Sequence, residues 1–147
     1  MIDLWPSELT AVDQRTPVAI LREQASLLGE KTQNIVVAEL VKVSGVASWF
    51  PRFFPFNYSF LLTCPALSDY RFRLFTMGSD IDVYPVHFHL DSDVSEELIE
   101  KTNGKLLVKD NITQASNEEE FIDILKHTFN SKKALRVIRA LLTQAKS

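Results

Sequence analysis

The sequence predicts an α+β fold, in which a four- or five-stranded, mainly antiparallel sheet carries helices on one face. Two observations lead to this prediction. Segments of alternating apolar residues follow one another with short connections, and helical periodicity occurs before and after them. Because consecutive strands usually pair, a meander is the simplest topology. The chain has 147 residues, 46% of them hydrophobic, which fits a single domain over residues 1–147 with an irregular segment at 1–15.

The first predicted element is a helix that begins at Thr16-Pro17 and runs through Leu28. Thr16 is a good N-cap, and proline at the first helical position lacks an N–H that the helix does not need. Apolar residues then recur at three- and four-residue steps and give one apolar stripe. Gly29 is a typical C-terminal stop.

Four strands are predicted next, from β-branched enrichment in the first and from apolar–polar alternation in the others. They are residues 34–43, 56–64, 69–75 and 81–90. Residues 77–80 are expected to form a turn, and Pro85 indicates an edge strand or a bulge. One face of the sheet is aromatic. The opposite face should be wet or partly covered, and it carries Asn57, Ser59, Thr63, Arg71, Arg73, His87 and His89.

The C-terminal third is predicted to be mostly helical. Ser92 or Asp93 caps a short helix through Lys101, and residues 105–108 are a short fifth strand. Asn117 and the three glutamates after it are typical of a helix start, since anionic groups there oppose the helix dipole. The last two helices are predicted over residues 117–129 and 132–145, separated by Asn130-Ser131.

Composition narrows the class of function. The formal net charge of −3 argues against wholesale nucleic-acid binding, which usually needs a strongly basic face. The single cysteine, Cys64, suits a reducing compartment. Residues 1–6 do not resemble a secretory signal, and the apolar stretches are far shorter than the roughly 18 residues of a membrane span. We therefore expect a cytoplasmic protein with no membrane span and no cofactor.

His87, His89 and Asp91 form the best candidate for a metal site. Alternate residues of a strand share one face, so both imidazoles and the carboxylate are placed to meet at one ion. Three such ligands and a water molecule would suit a catalytic metal. The alternative is a pair of solvent-facing histidines on an edge strand. The sequence favours that alternative, because no fourth ligand follows at a recognisable spacing.

The last predicted helix carries a basic patch of Lys132, Lys133, Arg136 and Arg139. Its cations lie mostly opposite the leucines, and a basic amphipathic helix can bind nucleic acid, an acidic partner or a membrane surface. The alternative is a role within the fold, because residues 91–123 are strongly acidic and the helix can neutralise them.

An aromatic loop is the most unusual feature of the sequence. The chain has ten Phe, two Trp and three Tyr, and seven of these fall between Trp49 and Phe60. Two prolines between predicted strands make residues 49–56 a loop, whose aromatic residues cannot all take alternating core positions. The loop either folds back on the sheet or exposes apolar surface to a partner. The candidate partner-binding residues are Trp49, Phe50, Arg52, Phe53 and Phe54.

Four stretches together resemble a family of small, uncharacterised bacterial α+β proteins: residues 16–32, 69–75, 84–86 and 136–142. The likeness covers most of the chain. It implies a bacterial, cytoplasmic setting, and it carries over no catalytic residue.

The favoured hypothesis is a non-enzymatic protein-binding or regulatory protein, chaperone-like or immunity-like, with its interface at the aromatic loop. Its partner is another protein or a second copy of the chain in a homodimer. The alternatives are a metal-dependent hydrolase that uses the His87, His89 and Asp91 cluster, and a weak nucleic-acid binder that uses the basic helix.

Overall fold

A computed structural model describes residues 1–10, 15–43 and 50–147 of the chain. The predicted α+β class is confirmed: one five-stranded antiparallel sheet is combined with an N-terminal helix and C-terminal helices. No helix in the described ranges is long and apolar enough to cross a membrane. The elements are α1 (Pro17–Lys31), β1 (Val37–Lys42), β2 (Phe56–Cys64), a 3-10 turn (Pro65–Leu67), β3 (Tyr70–Ser79), β4 (Val86–Leu90), α2 (Ser92–Lys101), β5 (Ile112–Ala115), α3 (Glu118–Phe129) and α4 (Lys132–Ala145).

The sheet is a simple meander, with the strands in the order β1-β2-β3-β4-β5 and every neighbouring pair antiparallel. All four helices contribute buried side chains to one core against the sheet, so they cover the same face. Aromatic rings fill much of this core. The rings of Phe60 and Phe75 stack at 5.3 Å, and that of Phe88 lies 5.5 Å from the ring of Phe121.

Helix α1 starts as predicted but ends later. The Thr16 side chain accepts a hydrogen bond from the Ala19 N–H at 3.1 Å, which caps the first turn. Gly29 does not stop the helix, which runs on to Lys31. A Cβ atom at Gly29 would lie 2.9 Å from the Asn34 amide oxygen, so the glycine lets the Asn34 side chain lie close to the helix backbone. The chain reverses only after Thr32, whose hydroxyl donates to the Leu28 carbonyl at 3.0 Å.

Strand β3 differs from the prediction because it contains a β-bulge. The register with β2 shifts between Phe60 and Leu61, which leaves Leu74 as an extra residue on β3. Both Leu74 and Phe75 therefore face the core, and the alternation continues with opposite phase as far as Ser79. The turn predicted at residues 77–80 was wrong, since Met77 to Ser79 still pair with β2.

The last two strands also correct the prediction. Strand β4 begins at Val86 rather than Ile81, after the Pro85 residue that has no N–H to donate, and β5 covers it on the outer side. Strand β4 is therefore not an edge. The fifth strand lies at Ile112–Ala115 rather than 105–108, because left-handed residues at Asp110 and Asn111 turn the chain back only there.

The C-terminal helices occur where they were predicted. Asn117 accepts a hydrogen bond from the Glu120 N–H at 2.9 Å and caps α3. Ser131 caps α4 in the same way, through the Ala134 N–H at 3.2 Å. The cap of α2 is Asp91, not Ser92 or Asp93, because its carboxylate accepts from the Asp93 N–H at 3.0 Å.

Candidate functional site

The face of the sheet away from the helices carries the predicted polar residues, and the strand register arranges them in two rows. One row contains Asn57, Gly78, His87 and Gln114, and the next contains Ser59, Thr76, His89 and Ile112. Asn57, Ser59 and Thr76 are all buried. The Ser59 and Thr76 hydroxyls lie 2.9 Å apart, and Arg73 donates to the Thr76 hydroxyl at 2.8 Å. This face is covered rather than wet.

The described part of the aromatic loop provides this cover. Phe50 and Phe54 are 7% and 3% exposed, and their rings meet edge to face at 5.2 Å. The Phe54 ring lies 4.6 Å from the His87 ring, and the Phe50 ring lies 6.5 Å from that of His89. A Cβ atom at Gly78 would come within 2.9 Å of the Phe54 ring, so the glycine permits this contact. Phe50 and Phe54 thus form a small apolar cluster of their own, separate from the main core.

The other partner-binding candidates of the loop are placed differently. Arg52 lies 4.4 Å above the Phe54 ring, a cation–π contact, and it forms an ion pair with Asp80. Phe53 points outward and is 66% exposed. Trp49 lies outside the described residues. Of the four predicted residues that the structure describes, Phe53 and Arg52 are therefore the ones that present exposed surface.

The two histidines of β4 have an environment that favours their neutral form. Burial lowers the pKa of His87, and the Arg52 guanidinium lowers it further, against smaller opposing effects of Asp80 and Gln114. Burial also lowers the pKa of His89, together with the charge of Arg73. Among the described residues, neither Nδ1 atom has a hydrogen-bond partner, although both are buried. Protonating either ring would place an unfavourable charge beneath the loop.

The structure does not assemble the predicted metal site. Strand β4 ends at Leu90, so the alternation that predicted a shared face stops before Asp91. The Asp91 carboxylate caps α2 and lies 3.6 Å from the Lys133 ammonium instead. Within residues 1–10, 15–43 and 50–147, no group of three or more His, Cys, Asp or Glu side chains could hold a metal ion.

The basic helix is partly neutralised inside the fold. Lys133 lies 2.9 Å from Asp93 and 3.6 Å from Asp91, and its hydrogen bond to Asp93 is the main cause of its raised pKa. The carboxylate of Glu97 accepts the Lys132 backbone N–H at 2.9 Å. The side chains that remain exposed are those of Lys132, Arg136 and Arg139. The acidic stretch and the basic helix do meet at α2, as the alternative interpretation expected.

A large apolar groove lies on the helix side of the sheet, and the sequence did not predict it. Helix α1 stands apart from α3 and α4 and leaves a groove of about 630 Å³ above β2 and β3. Phe60, Leu62 and Leu74 form its floor. Its apolar walls are Ile20, Leu27 and Leu28 on one side and Ile122, Leu125, Phe129, Leu135 and Ile138 on the other. We call this cavity the helix groove.

The polar rim of the helix groove is cationic. Arg15, Lys31 and Lys126 line it together with uncharged polar residues, and no Asp or Glu within residues 1–10, 15–43 and 50–147 does. Arg15 is engaged by Glu23 at 2.9 Å, and that hydrogen bond raises its pKa. In the described part of the chain, Lys31 and Lys126 form no ion pair, so both charges face solvent at the rim. A groove with apolar walls and a cationic rim is suited to an anionic, amphipathic ligand.

A signal for the helix groove exists in the sequence, although it is weak. Leu27, Ile122 and Leu135 lie at the margins of otherwise regular apolar stripes, and they remain 40%, 40% and 37% exposed. Each helix therefore carries more apolar surface than its contacts cover. Periodicity shows such width but not whether two stripes meet or stand apart.

Comparison with known proteins gives no assignment, because no family model matches the chain and no curated protein or solved structure is significantly similar to it.

Proposed function

We propose that the protein is a non-enzymatic binding protein whose helix groove holds an acidic peptide segment of a protein partner. The observation that carries this proposal is the lining of the groove, in which apolar walls are combined with cations and, among the residues that the structure describes, with no acidic side chain. Large apolar side chains of a peptide would fill the walls, and its carboxylates would lie near the rim. Charge of this kind favours the right partner and speeds association.

The shape of the helix groove favours a peptide over a small molecule. Pockets for small ligands enclose most of the ligand and present several converging polar groups. Here Leu27, Ile122 and Leu135 are open to solvent on both walls, and the charged groups lie at the edge. Open apolar walls between helices are typical of grooves that bind the apolar side chains of a peptide.

A free, fully buried thiol at Cys64 supports a reducing setting such as the cytoplasm for this binding. With one cysteine in the sequence, no disulfide within the chain is available to stabilise the fold.

The test uses two synthetic peptides with leucines at identical positions, one with glutamates and one with lysines between them. We expect the glutamate peptide to bind at least about tenfold more tightly, because opposite charges meet at the rim. Fluorescence anisotropy of labelled peptides measures both affinities. Equal binding of the two peptides, or binding of neither, would reject the proposal.

Two substitutions locate the binding site. Ile122→Asp places a charge on the groove wall, whereas Ile99→Asp places one on α2 outside the groove lining, at a nearly identical exposure of 41% against 40%. We expect Ile122→Asp to abolish binding of the glutamate peptide and Ile99→Asp to leave it unchanged. Lys126→Glu should weaken the binding of the glutamate peptide and strengthen the binding of the lysine peptide.

A second, smaller candidate surface lies on the aromatic loop. Phe53 exposes two-thirds of its area, next to the exposed Arg52. An exposed aromatic beside an arginine is a common core of protein interfaces. Capture of a partner by the parent chain but not by Phe53→Ser, with unchanged stability, would favour this surface. Capture that survives Phe53→Ser and fails with Ile122→Asp would favour the helix groove.

A further inference from the structure

The first ten residues carry an unusual amount of uncovered apolar surface. Leu4, Trp5 and Leu9 are 88%, 75% and 67% exposed, and every residue of this segment is exposed. We call residues 1–10 the N-terminal segment. A tryptophan next to a leucine, both exposed to water, is an unfavourable arrangement for a folded chain, and exposed apolar clusters of this kind mark interaction sites.

The charge of the N-terminal segment complements the helix groove. The segment contains Asp3 and Glu8 and no lysine or arginine. In the described part of the chain, the rim of the groove contains three cations and no acid, and the ammonium groups of Lys31 and Lys126 form no ion pair there. The segment is thus an acidic peptide with spaced large apolar side chains, which is the chemistry proposed for the ligand of the groove.

The chain also leaves the fold at a suitable place. Arg15 lines the helix groove and is fixed to Glu23 on α1 by two hydrogen bonds of 3.0 and 2.9 Å. The N-terminal segment is joined to Arg15 through residues 11–14. Trp5 lies ten residues before Arg15, and ten extended residues span at most about 33–36 Å, so Trp5 can reach well beyond the mouth of its own groove. Trp5 precedes Pro6, and such a residue is biased toward extended backbone.

We propose that the N-terminal segment docks into the helix groove of a second copy of the chain, and that two copies exchange their segments reciprocally. This inference rests on the proposed function, because it names a partner for the same groove. A two-fold axis lets each copy supply one segment and one groove, so a single contact is made twice. Trp5 and Leu4 are the apolar anchors, and Asp3 and Glu8 lie toward the cationic rim.

Sedimentation velocity of the full chain across the micromolar range tests this arrangement. We expect a monomer–dimer equilibrium that the double variant Leu4→Ser/Trp5→Ser weakens at least about tenfold, since it removes both anchors. Ile122→Asp should weaken it to a similar extent. The matched control Ile99→Asp should stay within about twofold of the parent. A chain that is monomeric throughout, or a dimer that none of these changes affects, would overturn the proposal.

Mixing two variants tests whether segment and groove meet between copies. In a Trp49→Phe background Trp5 is the only tryptophan, because the chain contains two. The Ile122→Asp protein then keeps its segment but has a defective groove, whereas Leu4→Ser/Trp5→Ser keeps its groove but has no anchors. Titrating the second into the first should shift the Trp5 emission to the blue. No shift would overturn the exchange.

Two further outcomes separate this inference from its alternatives. A blue-shifted Trp5 emission that does not depend on concentration, in a monomer, would mean that the segment occupies its own groove, and would overturn the exchange between copies. Binding of the glutamate peptide by a chain that stays monomeric would overturn only the exchange and would leave the proposed function standing. Absence of both peptide binding and dimer formation would overturn both the proposed function and the exchange.

Discussion

The two faces of the sheet are closed by different means. On the helix face, four helices pack against aromatic and aliphatic rows, and Phe75, Phe88 and Phe121 are almost completely buried among other apolar groups. On the opposite face, which we call the loop face, Phe50 and Phe54 cover rows of polar and ionisable side chains. On the helix face, closely packed apolar side chains exclude water. On the loop face, the two phenylalanine rings exclude water from polar side chains beneath them.

This difference separates the requirements of the two faces. Removing apolar volume is the main threat to the helix face, because close packing supplies its stability. The loop face also depends on how its buried polar groups are paired. Ser59 and Thr76 bond each other at 2.9 Å, whereas the Asn57 amide oxygen and both histidine Nδ1 atoms have no partner among the described residues. Its stability should therefore vary with chemistry as well as with volume.

The largest expected effect comes from Phe88→Ala on the helix face. The Phe88 ring is fully buried between Phe75 and Phe121, and its loss leaves a cavity that costs about 3–5 kcal/mol of unfolding free energy. Phe54→Ala is the matched change on the loop face. It should cost less, about 1.5–3 kcal/mol, because the Phe54 ring belongs to a much smaller cluster. Urea denaturation measures both values, and equal costs would contradict the comparison.

The next effect concerns how closely the loop approaches the sheet. Gly78→Ala adds a Cβ atom 2.9 Å from the Phe54 ring and 2.8 Å from the Asn57 amide oxygen. We expect a loss of about 1–3 kcal/mol from this overpacking. In a Phe54→Ala background the same change should cost clearly less, because the ring no longer opposes it. A double-mutant cycle by urea denaturation tests the coupling, and strictly additive costs would show that the loop does not press on Gly78.

The sequence predicted the helix face better than the loop face, for physical reasons. Periodicity and capping residues such as Thr16 and Asn117 are local signals, and they placed the helices to within a few residues. The bulge at Leu74 had no such signal. Leu74 and Phe75 are both apolar, so an alternating pattern can place either of them on the core face. The turn at residues 77–80 was misplaced for the same reason.

The features that the sequence did not predict depend on distances between parts of the chain that are far apart in sequence. The composition of the aromatic loop left open whether its rings face the sheet or solvent. Phe53 and Phe54 are adjacent in sequence, yet Phe53 is exposed and Phe54 is buried. The helix groove depends on the gap between α1 and α3–α4, which neither helix encodes alone. The candidate metal ligands are separated at a local boundary, since Asp91 belongs to the cap of α2 rather than to β4.

The smallest predicted effect is a pH dependence that belongs to the loop face. Burial lowers the folded-state pKa of His87 and His89 below their ordinary value of 6.5. Between the lowered pKa and 6.5 the unfolded chain binds more protons than the folded chain, so stability rises with pH in that window and is lost as the pH falls through it. We expect a lower unfolding free energy at a pH of about 5.5 than at about 7.5. The difference should be smaller than the loss of unfolding free energy caused by any of the three substitutions above.

Histidine substitutions assign this pH dependence. Replacing His87 and His89 together by glutamine should flatten the curve of unfolding free energy against pH, because neither side chain titrates. His127→Gln on α3 is the matched replacement on the helix side, where that ring lies 2.9 Å from the Asp123 carbonyl oxygen. Flattening by His127→Gln as large as that by the double variant would contradict the assignment to the loop face. Hydrogen exchange adds the spatial test. The Gly78 amide should lose protection at acid pH before the Phe88 amide does, because the added charge lies beneath the aromatic loop. Equal losses on both faces would mean that the sheet responds as one unit and that the two covers are not independent.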